Sequence, residues 1–141
     1  MAQSGPILII EDDEDDQEIL TEVFQELAYE NEVIFFTDGY KALEYLNTPT
    51  IRPFLIISDI NMPKLTGFEL RDIVHNNEDL RMRCIPFLFF TTSASPQDVI
   101  RAYSKSSQGF FVKQDDHEQI RDTMRRIIDY WKDCIYPNKV L

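Results

Sequence analysis

Short apolar runs and helical stripes alternate along the whole chain. Ile7 to Ile10 is an unbroken apolar run preceded by Gly5 and Pro6, as expected of a strand buried on both faces of a parallel sheet. From about Asp15 to Ala28, the residues Ile19, Leu20, Val23, Phe24 and Leu27 keep helical spacing, and acids fill the outer face. Val33 to Phe36 is a second run, followed by a turn at Asp38-Gly39 and a short helix from about Lys41 to Leu46; Pro49 and Pro53 then break the chain. The third strand, Phe54 to Ser58, leads into Asp59 and a loop holding Pro63 and Gly67, and a helix runs on through Phe68, Leu70, Ile73 and Val74. Asn76 to Arg83 reads as a polar connection. Pro86 introduces the fourth run, Phe87 to Phe90, and Ser95-Pro96 caps a fourth helix bearing Val99, Ile100 and Tyr103. Gly109 opens the fifth strand. A last helix from about Asp115 to Tyr136 carries Ile120, Met124, Ile127, Ile128, Trp131 and Ile135 on one stripe, with Pro137 ending it.

Five strand–helix units with no repeat, linker or low-complexity tract predict an α/β fold with a five-stranded parallel sheet and helices on both faces. One domain is expected over 5–136, with short tails at 1–4 and 137–141 and no output domain. At 141 residues the chain suits a single core.

The residues at the carboxyl end of each run are the informative ones. Ile7 to Ile10 ends in Glu11 and Asp12, the third strand in Asp59, the fourth in Thr91 and Thr92, and Phe110 to Val112 in Lys113. In an open parallel sheet these carboxyl ends share one edge, where such folds bind ligands. Three carboxylates there repel one another unless a cation sits among them, and hard oxygen ligands of this kind suit Mg²⁺. A carboxylate needs no base to act as a nucleophile, and phosphoryl transfer asks mainly for positioning and charge stabilisation.

Charge and cysteine content narrow the partners. A net charge of -11 argues against a sequence-independent grip on nucleic acid, which depends on Lys and Arg meeting phosphates. Cys84 and Cys134 stand in no metal-binding spacing and predict neither zinc nor a disulfide. No apolar run approaches the length of a membrane span, and no export signal opens the chain, so a cytoplasmic protein is expected.

Glu11-Asp12 after the first strand, Asp59 in D-I-N-M-P after the third, then Gly67, Thr91 and Lys113, in this order and placement, resemble a response-regulator receiver of two-component signalling. The likeness runs along nearly the whole chain and is of the stand-alone type. It implies a flavodoxin-like, three-layer (βα)5 fold with strand order 2-1-3-4-5. It implies that Asp59 takes a phosphoryl group from a histidine kinase, a histidine phosphotransfer protein or a small phosphodonor. Mg²⁺ would be held by Asp12 and Asp59, by Glu11 through water and by the Asn61 backbone carbonyl. Thr91 would donate its hydroxyl to the phosphoryl group, Lys113 would pair with it, and Phe110 would occupy an aromatic switch position. Such a protein signals through contacts and is not a multiple-turnover enzyme; the fourth helix, fifth strand and fifth helix are the expected surface for partners or a homodimer.

Two positions depart from the family pattern. Gln114 follows Lys113 where the family usually has a proline, often cis, so a trans bond and a shifted lysine are expected. Thr92 stands where a smaller alanine is common; its bulk is expected to narrow access to Asp59 and slow dephosphorylation.

Plainer readings compete at each site. Asp13, Glu14, Asp15 and Asp16 read as a solvated helix N-terminus favoured by the helix dipole. Asp59 alone would cap the turn that comes after it. His75 and His117 read as surface residues; Tyr103, with Ser104 to Gln108 a candidate for the partner surface, reads more plainly as completing the apolar stripe of its helix. A calcium EF-hand is disfavoured because Gln17 replaces the required glycine. A haloacid-dehalogenase-type phosphatase would want a second acid where Asn61 stands, and a flavin-nucleotide binder would want a glycine-rich loop after the first strand. A receiver-like scaffold independent of phosphorylation is the remaining alternative.

Overall fold

The apolar runs become strands because both faces of the sheet are covered, and polar residues enter the buried strands only at their last positions, Ser58 and Thr91. The computed structural model describes residues 5–92 and 94–135. Strands β1 (Ile7–Ile10), β2 (Val33–Phe36), β3 (Leu55–Ser58), β4 (Phe87–Thr91) and β5 (Gly109–Val112) form one parallel sheet in the order β2-β1-β3-β4-β5. Every residue of β1, β3 and β4 is buried.

Six helices connect them: α1 (Glu14–Leu27), α2 (Gly39–Leu46), α3 (Gly67–Asn76), α4 (Glu78–Met82), α5 (Pro96–Ser104) and α6 (His117–Asp133). Alternate strand residues divide two cores. Leu8, Ile10, Ile56, Phe87 and Phe89 pack with Ala42, Leu46, Phe68, Val74, Leu80 and Ala102, and so with α2 to α5. Ile7, Ile9, Leu55, Ile57, Leu88 and Phe90 pack with Leu20, Val23, Phe24, Met124 and Ile128, and so with α1 and α6. The result is the expected three-layer, doubly wound fold.

Three expectations need correction. The supposed polar connection Asn76 to Arg83 contains α4, a short helix capped by the Asn77 side chain and anchored by buried Leu80; one anchoring side chain leaves no periodicity to read. On α5, Ile100 and Tyr103 are 69% and 58% exposed, so they do not complete a core stripe; Ala102 is the residue that turns inward. The last helix ends at Asp133, leaving Ile135 beyond it and exposed; Tyr136, Pro137 and both expected tails lie outside the described residues.

Candidate functional site

Main-chain pairing continues past the strand ends and lines up the chemistry. The Glu11 amide donates to the Phe36 carbonyl at 2.9 Å, the Asp59 amide to Ile10 at 3.0 Å and the Lys113 amide to Thr91 at 2.8 Å. Each residue after a strand is therefore fixed in register with its neighbour across the sheet.

Glu11, Asp12 and Asp59 each offer a carboxylate oxygen, and these oxygens lie within 4.8 Å of one another. Glu11 is buried, Asp59 half-buried and Asp12 exposed, so the cluster opens outward through Asp12. The Lys113 ammonium lies among the acids: it bonds Glu11 Oε2, reaches Asp16 Oδ2 at 2.9 Å and Asp59 Oδ2 at 3.2 Å. Asp59 Oδ1 accepts from the Ile60 amide at 2.7 Å. The turn-capping reading of Asp59 thus holds for one oxygen, while the other faces Lys113.

Burial pushes the Glu11 carboxyl up to about 7, even with Lys113 drawing it down. Burial also works against the Lys113 charge, yet Glu11, Asp59 and Asp16 outweigh it and raise Lys113 above the ordinary lysine range. Lys113 therefore stays cationic and Glu11 is the strained partner.

Asp16 is the residue sequence reasoning missed. Read as one more solvated acid, it sits one helical turn into α1, whose N-cap Asp13 accepts from the Asp16 amide, and this presents its carboxylate to Lys113. Gln17 likewise turns inward, donating its side-chain amide to the Glu11 carbonyl. The other helical acids gave no contrasting signal in the sequence.

Thr91 ends β4 fully buried, beside Lys113, and Thr92 is exposed. Asn61 is exposed in the loop after β3. Phe110 is half-buried on β5, its ring 6.4 Å from Phe89, which in turn contacts Phe68 and Phe87 at 5.2 and 5.4 Å. Described peptide bonds are all trans, including that after Lys113, and Lys113 still reaches Asp59. His117 lies against Glu26 at 2.9 Å, and His75 lines a cavity at the far edge of the sheet.

Gly67 fixes the course of the loop. Its amide donates to the Ile60 carbonyl at 2.8 Å, and a Cβ at this position would lie 2.2 Å from the Asp59 carbonyl oxygen and 2.9 Å from Ile60 Cα. Helix α3 starts directly against the main chain of Asp59, helped by the reciprocal Thr66–Glu69 capping box.

An acid cluster with one lysine at the carboxyl edge of this sheet has the arrangement expected of a receiver. The sequence matches the response regulator receiver domain family over residues 7–125. It is 30% identical over 129 residues to the probable methanogenesis regulatory protein FilR2 of Methanothrix harundinacea, covering 89% of this chain and 82% of that protein. It is 30% identical over 136 residues to response regulator Rcp1 of Synechocystis sp., covering 92% and 90%. The solved Mn²⁺-bound form of response regulator Rcp1 aligns with a TM-score of 0.82 at 28% identity, covering 94% of this chain and 99% of that one. The chain belongs to the response regulator receiver family, and with it to two-component signalling. Among the described residues, no helix is long and apolar enough to cross a membrane.

Proposed function

We propose that Asp59 is the phosphoacceptor of a signalling switch and that Glu11, Asp12 and Asp59, with the Asn61 carbonyl, hold a Mg²⁺ ion. The observation that carries this reading is the convergence of three carboxylates and Lys113 on one small volume at the strand ends. Hard oxygen donors of like charge fit a hard divalent cation, and the family relative Rcp1 has been solved with Mn²⁺. When bound, Mg²⁺ supplies charge neutralisation to the transferring phosphoryl oxygens.

The chain's own residues do the rest. An Asp59 carboxylate oxygen bonds to phosphorus as the bond from phosphorus to the donor's imidazole nitrogen breaks; the electron pair stays on that nitrogen, which takes a proton from solvent. The Lys113 ammonium, already 3.2 Å from Asp59, pairs with the new dianionic group. Thr91 donates its hydroxyl to the same group, and Phe110 moves inward after Thr91 at the end of its aromatic row. A local gain of charge thereby biases a two-state element.

The donors are a histidine kinase or a histidine phosphotransfer protein. The surface of α5, β5 and α6, where Ile100, Tyr103, Val112 and Tyr130 are exposed, meets partners or a second copy of the chain. The test is intact mass after incubation with acetyl phosphate, with and without Mg²⁺, beside Asp59→Asn. The expected result is one phosphoryl group gained only with Mg²⁺ and lost in the variant. Wild-type protein that stays unmodified while a fast-reacting receiver is labelled in parallel defeats the reading.

A further inference from the structure

A cavity of about 320 Å³ lies at the amino ends of β4 and β5, across the sheet from Asp59. Arg71, His75 and Arg81 line it, and among the described residues no acid does, in a chain with 25 acids and a net charge of -11. Two neighbouring cations are differently held. Lys105 is paired with Asp72 at 2.7 Å and Arg83 with Asp79 at 2.6 Å. Arg71 and Arg81 have no carboxylate in ion-pair range among the described residues and are held by backbone carbonyls instead. Arg71 donates to Lys105 and Ser106 at 3.0 and 2.8 Å, and Arg81 to His75 at 3.1 Å.

Arg71 is 5% exposed. Two of its five N–H donors are taken by the two carbonyls, which fix the guanidinium plane against the Phe87 ring. A fixed guanidinium with donors to spare is suited to a carboxylate, which it grips through two parallel bonds. Val74, Leu80 and Ile85 supply apolar wall, Ser106 and Gln108 add polar groups, and Trp131 closes one side. A volume near 300 Å³ suits a small molecule.

We propose that this cavity binds a small organic carboxylate, with the anionic end on Arg71 and Arg81 and an apolar or aromatic body against Trp131. An inorganic anion would leave the apolar walls unused, and a neutral hydrophobe would leave both guanidinium groups without a counter-charge. The site is separate from phosphoryl transfer, so Asp59→Asn protein binds the same ligand equally well.

Trp131 is the single tryptophan of the chain and lines this cavity as well as a neighbouring pocket beside Arg126, so its emission reports binding and the Arg81 variant assigns it to the cavity. The experiment titrates the full chain with benzoate and with benzamide, its neutral counterpart, in wild type and in Arg81→Gln. Arg81 is exposed and its side chain bonds the His75 carbonyl, so this variant leaves the core intact. The expected result is a saturable change in Trp131 emission with benzoate, weakened about tenfold or more for benzamide and severalfold in Arg81→Gln. The absence of a saturable change, equal binding of benzamide, or an unaltered curve in Arg81→Gln would overturn the proposal.

Discussion

The two edges of the sheet carry opposite charge by opposite means. At the carboxyl edge Glu11, Asp16 and Asp59 gather round Lys113, with Asp12 beside them; at the amino edge Arg71 and Arg81 are anchored by carbonyls that leave donors over, and face a cavity with no acid among its described lining residues. The first arrangement concentrates like charge and leaves Glu11 holding its proton more tightly than a free carboxyl. The second uses neutral dipoles, which neither titrate nor compete with metal. The contrast teaches that charge in this molecule is poised at one edge and merely held at the other.

The largest expected effect comes from Lys113→Met. It leaves buried carboxylate charge unpaired and should cost about 3–5 kcal/mol of unfolding free energy near pH 8 without divalent metal. Added Mg²⁺ should recover much of that loss in a urea titration; a loss that ignores Mg²⁺ breaks the picture of a poised edge.

Next comes the pH dependence of the metal-free wild type relative to Glu11→Gln. The folded-state pKa of Glu11, about 7, lies above its ordinary 4.5, so the folded protein binds the proton more tightly than the unfolded chain. Stability from this group is full below the lower value and falls as pH rises through the window, by about 3 kcal/mol. Lys113, raised rather than lowered, contributes a constant amount across that range. Saturating Mg²⁺ should flatten the difference between the two proteins.

At the other edge Arg71→Met leaves the Lys105 and Ser106 carbonyls without their donor, for about 1–3 kcal/mol. This loss should be equal at acid and neutral pH and indifferent to Mg²⁺; a Mg²⁺-sensitive loss would show that the edges are not independent. The smallest effect is kinetic. Thr92→Ala should shorten the lifetime of the phosphoryl group about two- to threefold, under about 1 kcal/mol, and an unchanged decay of labelled protein removes any role for Thr92.

The same contrast explains what the sequence disclosed. Glu11, Asp12, Asp59, Thr91 and Lys113 each stand at the end of an apolar run, and such a run has one unambiguous end. Asp16 has no such marker: its neighbours Glu14 and Asp15 are also acids in the first turn of α1, and sequence alone does not tell which one turns toward Lys113. Ile100 and Tyr103 misled for a related reason. Their spacing is that of a buried stripe, but Ala102 occupies the inward position and the larger side chains are left outside. The amino-edge cavity was invisible because it is assembled from the ends of α3, α4 and α6 and the connection into β5, which no local spacing links.

Gly67 ties the place of the acid to shape and not to reactivity. A descendant of this chain that gave up the phosphoryl transfer proposed for Asp59 would need from that residue only its cap on the Ile60 amide, which Asn also provides, and so would be free to replace the acid. It would have no such freedom at position 67, where any side chain drives into the main chain of Asp59 and Ile60. In a diverging lineage the acid should therefore be lost before the glycine, and a glycine opening this helix beside an acid-free strand end would mark the remains of a retired switch.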